Sequence, residues 1–133
     1  MPKETTFLSE SLERSPTVRL IRGRLAQVSR GEMPVVFQGE TGVGKTAWVR
    51  AWAQSMGREP LMELGCADTP VTLLEAEWFG AVKGAFTGAE RDRVGSWAQA
   101  GNGMICLDRI DLLPLEIQPR LLRVLENRRF APL

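Results

Sequence analysis

The chain has 133 residues, enough for one domain with a core of its own. Apolar content of 44%, charged content of 25% and a net charge of +1 are ordinary for a globular protein and give no bulk electrostatic reason to bind nucleic acid. There is no histidine, which excludes a Ser-His-Asp or Cys-His catalytic unit and, with no clustered cysteines, leaves no zinc site to expect.

No apolar run is long enough to span a membrane, and Met1-Pro2-Lys3-Glu4 lacks the apolar core of a signal peptide, so a cytoplasmic protein is expected. In that compartment Cys66 and Cys106, each at or in a predicted strand, read as reduced and mostly buried thiols.

Residues 1–14 are mostly polar and read as a loose arm before a single domain over 15–133. Ser15-Pro16 reads as a helix start, with Ser15 as the cap and Pro16 in the first helical position. Val18, Ile21, Leu25 and Val28 share a face, which predicts a helix over Pro16–Arg30. Arg19, Arg22, Arg24 and Arg30 fit a basic nucleic-acid face or, more simply, the solvated side of that helix. Gly31-Glu32 ends it, and Met33-Pro34-Val35-Val36-Phe37 predicts a short buried strand.

Gln38–Thr46 reads Q-G-E-T-G-V-G-K-T, and Gly39, Gly44, Lys45 and Thr46 fit G-x-x-x-x-G-K-[ST], the phosphate-binding loop. Polyphosphate needs several backbone N–H groups in one concavity, and glycines let the backbone turn with φ > 0 and approach the anion closely. The following helix adds its positive N-terminal end. Lys45 can reach the β- and γ-phosphates and the Thr46 hydroxyl can ligate Mg²⁺, so Gly39, Glu40, Thr41, Gly42, Val43, Gly44, Lys45 and Thr46 are the candidate nucleotide contacts. A glycine-rich turn matching by chance is the plainer alternative. It does not predict the flanking strand, nor the helix over Lys45–Met56 with Trp48, Val49, Trp52 and Met56 at helical spacing and Gly57 as its stop.

Leu61–Leu64 is a second predicted strand. Thr69-Pro70 starts a predicted helix over Pro70–Phe79, with Leu73, Leu74, Trp78 and Phe79 available for packing. Gly80–Ala89 holds three glycines in ten residues, wrong for a helix interior, and reads as a protruding loop or hairpin. Glu90–Ala100 predicts a weak helix with Val94 and Trp97 on its buried side. Gly103–Asp108 is an apolar strand ending in a carboxylate, as expected of a parallel strand covered on both faces. Asp111–Pro114 is a turn. Leu115–Arg128 predicts an amphipathic helix with Ile117, Leu121, Leu122 and Leu125 inward and Pro119 tolerated near its first turn.

Strands alternating with helices after a phosphate loop predict an α/β fold, a three-layer P-loop NTPase sandwich with a mostly parallel sheet. Gly39 and Asp108 both fall at strand C-terminal ends, where such sheets bind ligands, so Asp108 joins Thr46 as a candidate holder of the Mg²⁺ shell.

Trp78-Phe79-Gly80 followed by Lys83-Gly84-Ala85-Phe86-Thr87-Gly88-Ala89 resembles the L-F-G-x-x-K-G-A-F-T-G-A signature of sigma-54-dependent bacterial enhancer-binding proteins, which are AAA+ ATPases. The resemblance extends to G-E-T-G-V-G-K-T, to Cys66–Gly80 and to the L-L-R-V-L-E of the last helix, from about Ser15 to Arg129. It implies ATP and Mg²⁺ as cofactors, the AAA+ large subdomain as the fold, and assembly into a ring. It also implies sigma-54 of the RNA polymerase holoenzyme as the partner, contacted by Gly84, Ala85, Phe86, Thr87, Gly88 and Ala89, with Phe86 and Thr87 at the tip. Direct DNA binding by this segment is not implied. From the residues alone, Phe86 is equally an exposed anchor or an aromatic folded back on its own domain.

Four departures qualify the resemblance. The family's Walker B strand ends in Asp-Glu, whereas this one ends in Asp108-Arg109. A guanidinium has no acceptor and stays protonated, so it cannot polarise a lytic water; Asp111, two residues on, is the nearest substitute. The family usually has Asn before the Cys-Ala of the second strand, where it restrains that Glu, and this chain has Gly65. Thr46 stands where the family often has Glu. The parts that the family places beyond this stretch, namely the next strand with its sensor, the arginine finger, the helical lid and a DNA-binding helix-turn-helix, have no counterpart here. Two readings follow: an ATP-binding module of a sigma-54-dependent activator, or a non-hydrolysing regulatory subunit of the same lineage.

Overall fold

The computed structural model describes residues 14–28, 33–67 and 69–127. Residues 1–13 of the expected arm and the ends of the first and last expected helices lie outside the described residues. The chain divides into two compact units, Met1–Gly57 and Arg58–Leu133.

In the first unit, α1 spans Pro16–Val28, and its ladder begins where the Arg19 N–H donates to the Ser15 carbonyl at 3.1 Å. Val18, Ile21, Leu25 and Val28 are its less exposed positions, with Leu25 buried, as the periodicity predicts. Helix α2 spans Lys45–Ser55 and buries Val49 and Ala53. Trp48 and Trp52 are half-buried, and the Trp52 ring lies 6.2 Å from that of Phe37. Gly57 takes φ 62° just past the helix, as its expected role as a stop requires.

The strand expected at 33–37 is not formed. Strands need a hydrogen-bonded neighbour, and the described elements of this unit are helices. Pro34 also lacks a ladder donor. The side chains of Met33 and Val36 are correspondingly exposed.

The second unit holds the sheet. Strands β1 (Leu61–Gly65) and β2 (Met104–Asp108) pair in parallel, with Leu61 opposite Met104 and Gly65 opposite Asp108. Among the described residues both are edges of a two-stranded sheet, and β2 is half-exposed along Met104–Leu107 instead of covered on both faces, Cys106 with it.

Helix α3 (Val71–Phe79) starts one residue later than expected, because Pro70 occupies the cap position and its carbonyl accepts the Leu74 N–H at 3.0 Å. It buries Leu74, Ala76, Trp78 and Phe79 and leaves Leu73 42% exposed. Helix α4 is only Ser96–Ala100, and α5 spans Gln118–Asn127, after a 3₁₀ turn at Ile110–Leu112.

The core gathers Cys66, Leu74, Trp78, Phe79, Leu113, Ile117, Leu121 and Val124, flanked by Leu64, Val71, Trp97 and Leu107. Phe79 is its hub: Trp97 stacks on it with centroids 6.0 Å apart, Trp78 meets it edge-on, and the Arg120 guanidinium lies 4.3 Å over its ring. Of the α5 positions expected inward, Ile117 and Leu121 are. Leu122 and Leu125 are 55% and 42% exposed, and Val124 takes the inward place. The seam runs 117, 121, 124, the i, i+4, i+7 positions of one helix face, and the Leu121 N–H reaches back to the Ile117 carbonyl at 3.0 Å.

Candidate functional site

The loop Gly39–Thr46 turns through two left-handed glycines, Gly42 (φ 86°) and Gly44 (φ 95°), positions where a side chain would be strained. Gly44 is the cap of α2, and the first helical hydrogen bond runs from the Trp48 N–H to the Gly44 carbonyl at 3.1 Å. The amides of Lys45, Thr46 and Ala47 therefore precede the ladder at the positive end of an eleven-residue helix.

The Lys45 ammonium folds back over the loop and donates to the carbonyls of Gly39 (2.6 Å) and Glu40 (2.8 Å). A Cβ on Gly39 would meet Val43 Cγ2 at 2.9 Å, so the exposed Val43 side chain would have to shift to admit one. Glycines with positive φ, leading amides and a lysine over the loop are a donor set suited to polyphosphate. Thr46 is exposed at the start of α2.

Asp108, in the second unit, ends β2 with an exposed side chain, and its carbonyl accepts the Cys66 N–H at 3.1 Å. The chain then turns at Arg109, the one non-glycine residue with positive φ (57°) among those described. The Arg109 guanidinium grips Asp111 with two bonds, Nε to Oδ1 at 3.1 Å and Nη2 to Oδ2 at 2.9 Å. The hydrogen bond and charge of Asp111, with Asp108 adding, raise the Arg109 pKa further. The position after Asp108 thus carries a guanidinium, and the carboxylate of Asp111 is already engaged by it. Behind them Cys66 is fully buried. Burial first, then the charge of Asp108, push its thiol up to about 11.

The loop Gly84–Ala89 stands on a neck. Ala81 and Arg93 form an antiparallel backbone pair, N–H to O at 2.9 and 2.7 Å. Beyond it the Gly84 N–H donates to the Ala89 carbonyl at 2.9 Å, closing the tip. Gly84, Ala85, Thr87 and Gly88 are exposed; Phe86 and Ala89 are half-buried.

Below the neck, Gly80 (φ 84°, ψ 171°) and Gly95 pass in backbone contact. A Cβ on Gly95 would clash with Gly80 N, Phe79 C and Trp78 O, and one on Gly80 would lie 2.6 Å from the Arg93 carbonyl. This explains why the helix expected at Glu90–Ala100 forms only over Ser96–Ala100. The backbone of Arg93 is committed to Ala81 and that of Gly95 to the crossing, and Val94 is 65% exposed rather than buried. Sequence reading missed Gly95, Arg93 and Asp92 as parts of the neck. The signal available was a second glycine after the tip, read there as part of a helix.

A family model described as the sigma-54 interaction domain matches residues 12–133. The chain belongs to this family. The transcriptional regulator VasH of Vibrio cholerae is 41% identical over 121 residues, 90% of this chain and 23% of that protein. Regulatory protein LuxO of Vibrio cholerae is 45% identical over 107 residues, 79% of this chain and 20% of its own length. The anaerobic nitric oxide reductase transcription regulator NorR of Serratia proteamaculans is 43% identical over 114 residues, 84% and 22%. The crystal structure of NtrX from Brucella abortus superposes with a TM-score of 0.71 at 25% identity, covering 87% of this chain and 25% of that one.

The chain therefore spans less than a quarter of the length of these relatives. Its α/β fold with parallel strands is that of the P-loop AAA+ domain that defines the sigma-54 interaction family. Among the described residues no helix is long and apolar enough to cross a membrane.

Proposed function

We propose that the chain is the ATP-binding AAA+ module of a sigma-54-dependent transcription activator, contacting sigma-54 of the RNA polymerase holoenzyme through Gly84–Ala89. The observation that carries the nucleotide reading is the curled loop at Gly39–Thr46, with its leading amides at α2 and the Lys45 ammonium over it. Backbone N–H groups of this loop would hold the phosphates. Lys45 would exchange the carbonyls of Gly39 and Glu40 for phosphate oxygens, and Thr46 would ligate Mg²⁺. When bound, Mg²⁺ supplies a bridging charge that stabilises the phosphoryl oxygens. Ring assembly, a cytoplasmic location and the absence of direct DNA contact by this segment go with this reading.

A second reading is favoured by the Arg109–Asp111 clasp: the module holds ATP and hydrolyses it slowly or not at all. A lytic water needs an acceptor to orient it, and Arg109 offers only donors. Gly65, opposite Asp108, has no side chain to restrain a catalytic carboxylate had one been present. Loss of a positioned base lowers rates by about 10²–10⁴-fold.

Equilibrium titration with Mg-ATP tests the nucleotide reading. Saturable binding by the parent and binding weakened by about 100-fold or more in Lys45→Ala are expected; equal binding by both refutes it. For the loop, capture of sigma-54 should weaken in Phe86→Ala, and unchanged capture removes Phe86 as an anchor.

A further inference from the structure

We infer that Asp92 is a positioning residue for the Gly84–Ala89 loop, a side-chain latch that fixes the tip on its neck; this rests on the reading that the tip contacts sigma-54. The loop is closed at two levels. At the base Ala81 and Arg93 exchange both backbone hydrogen bonds, and at the tip Gly84 N–H meets Ala89 O. The two closures are out of register: 81 pairs with 93, but 84 with 89, so one residue is extra on the returning arm. The next ladder bond after the base pair is therefore not made by backbone alone.

Asp92 fills that place. Its Oδ1 accepts the Lys83 N–H at 2.8 Å, a charge-assisted bond across the neck between the two closures. An acceptor there turns a bulged junction into a continuous ladder from base to tip. Without it, Lys83 N–H would turn to water and the tip would hinge on the Ala81–Arg93 pair, beside Gly80. Such a hinge leaves the tip in many orientations, and a partner that binds one of them loses affinity by the fraction of time spent in the others. Because Lys83 and Asp92 are exposed, the latch adds little to global stability, so loop order and fold stability separate experimentally.

The test uses the whole 133-residue chain and its Asp92→Ala, Asp92→Asn and Phe86→Ala variants. Amide exchange at Lys83 and sigma-54 affinity in the presence of Mg-ATP are read on each, with thermal unfolding as the control. Asp92→Ala should raise exchange at Lys83 and weaken sigma-54 binding by about fivefold, the worth of one net hydrogen bond, at an unchanged melting midpoint. Asp92→Asn keeps an acceptor oxygen and should retain both. Unchanged exchange at Lys83 in Asp92→Ala overturns the latch. Faster exchange with unchanged affinity, while Phe86→Ala weakens binding, overturns the positioning role alone. Unchanged affinity in Phe86→Ala as well overturns the contact reading, and the positioning role with it, while exchange at Lys83 still reports whether the latch exists.

Discussion

The loop at Gly39–Thr46 and the strand end at Asp108–Asp111 would serve two different steps of the proposed chemistry, and they differ in what they offer. At the first, two left-handed glycines, a helix start and Lys45 supply donors that an anion requires, and each position keeps the chemistry of its motif. At the second, Asp108 is kept, but the next residue has changed from an acceptor to a guanidinium, and that guanidinium occupies the neighbouring Asp111. On the proposed function, binding phosphate and activating water are separable tasks, with donors for the first present and an acceptor for the second missing at Arg109.

The largest effect should come from the intact side. Lys45→Ala removes the charge over the loop and should weaken Mg-ATP binding by about 100-fold or more, the cost of losing a charged phosphate contact in a preformed site. Titration calorimetry reads it, and a change below tenfold would mean that the loop does not bind through Lys45.

Next in size is the altered side. Arg109→Glu together with Gly65→Asn returns an acceptor and its restraint, and turnover per bound ATP should rise by about 10–100-fold, short of the full worth of a general base. No rise places the limit elsewhere, in groups supplied from outside these residues.

Third is the thiol beneath that strand end. The folded-state pKa of Cys66 is raised from 9.0 to about 11, so folding favours the protonated thiol. Its contribution is present below pH 9 and lost as pH rises through about 11. Denaturant unfolding of the parent minus that of Cys66→Ala should show a loss of up to about 2 kcal/mol across that window. A flat difference would mean that the thiol is less shielded than its burial indicates.

The smallest effect is expected at Asp111. Asp111→Ala opens an exposed clasp and should leave both the melting midpoint and any residual phosphate release unchanged. Residual release that falls to background would make Asp111 the substitute base.

Much of this was legible from the residues because it is local. The glycines of the phosphate loop, Pro16 at the start of α1 and the alternation of strand and helix depend on neighbours a few positions away. What was not legible depends on residues far apart. Met33–Phe37 reads as a strand by composition, yet a strand exists only with a neighbour to bond. Val94 reads as buried on a helix that cannot form, because Arg93 pairs with Ala81 and Gly95 crosses Gly80. Leu122 lies next to Leu121, about 100° around the helix, and Leu125 one residue past Val124; the buried stripe follows Ile117, Leu121 and Val124 at i, i+4 and i+7 and leaves both exposed. At the site, the change from Glu to Arg109 was plain in sequence. Its clasp on Asp111 was not, since it depends on the left-handed turn at Arg109 that brings the two side chains together.

Phosphate release at high protein concentration, measured on the parent and on Lys45→Ala at saturating Mg-ATP, tests the central claim most directly. The parent should bind ATP and release phosphate at a rate little above that of Lys45→Ala. Robust turnover by the parent that Lys45→Ala abolishes would contradict it, and would show that this strand end activates water despite Arg109.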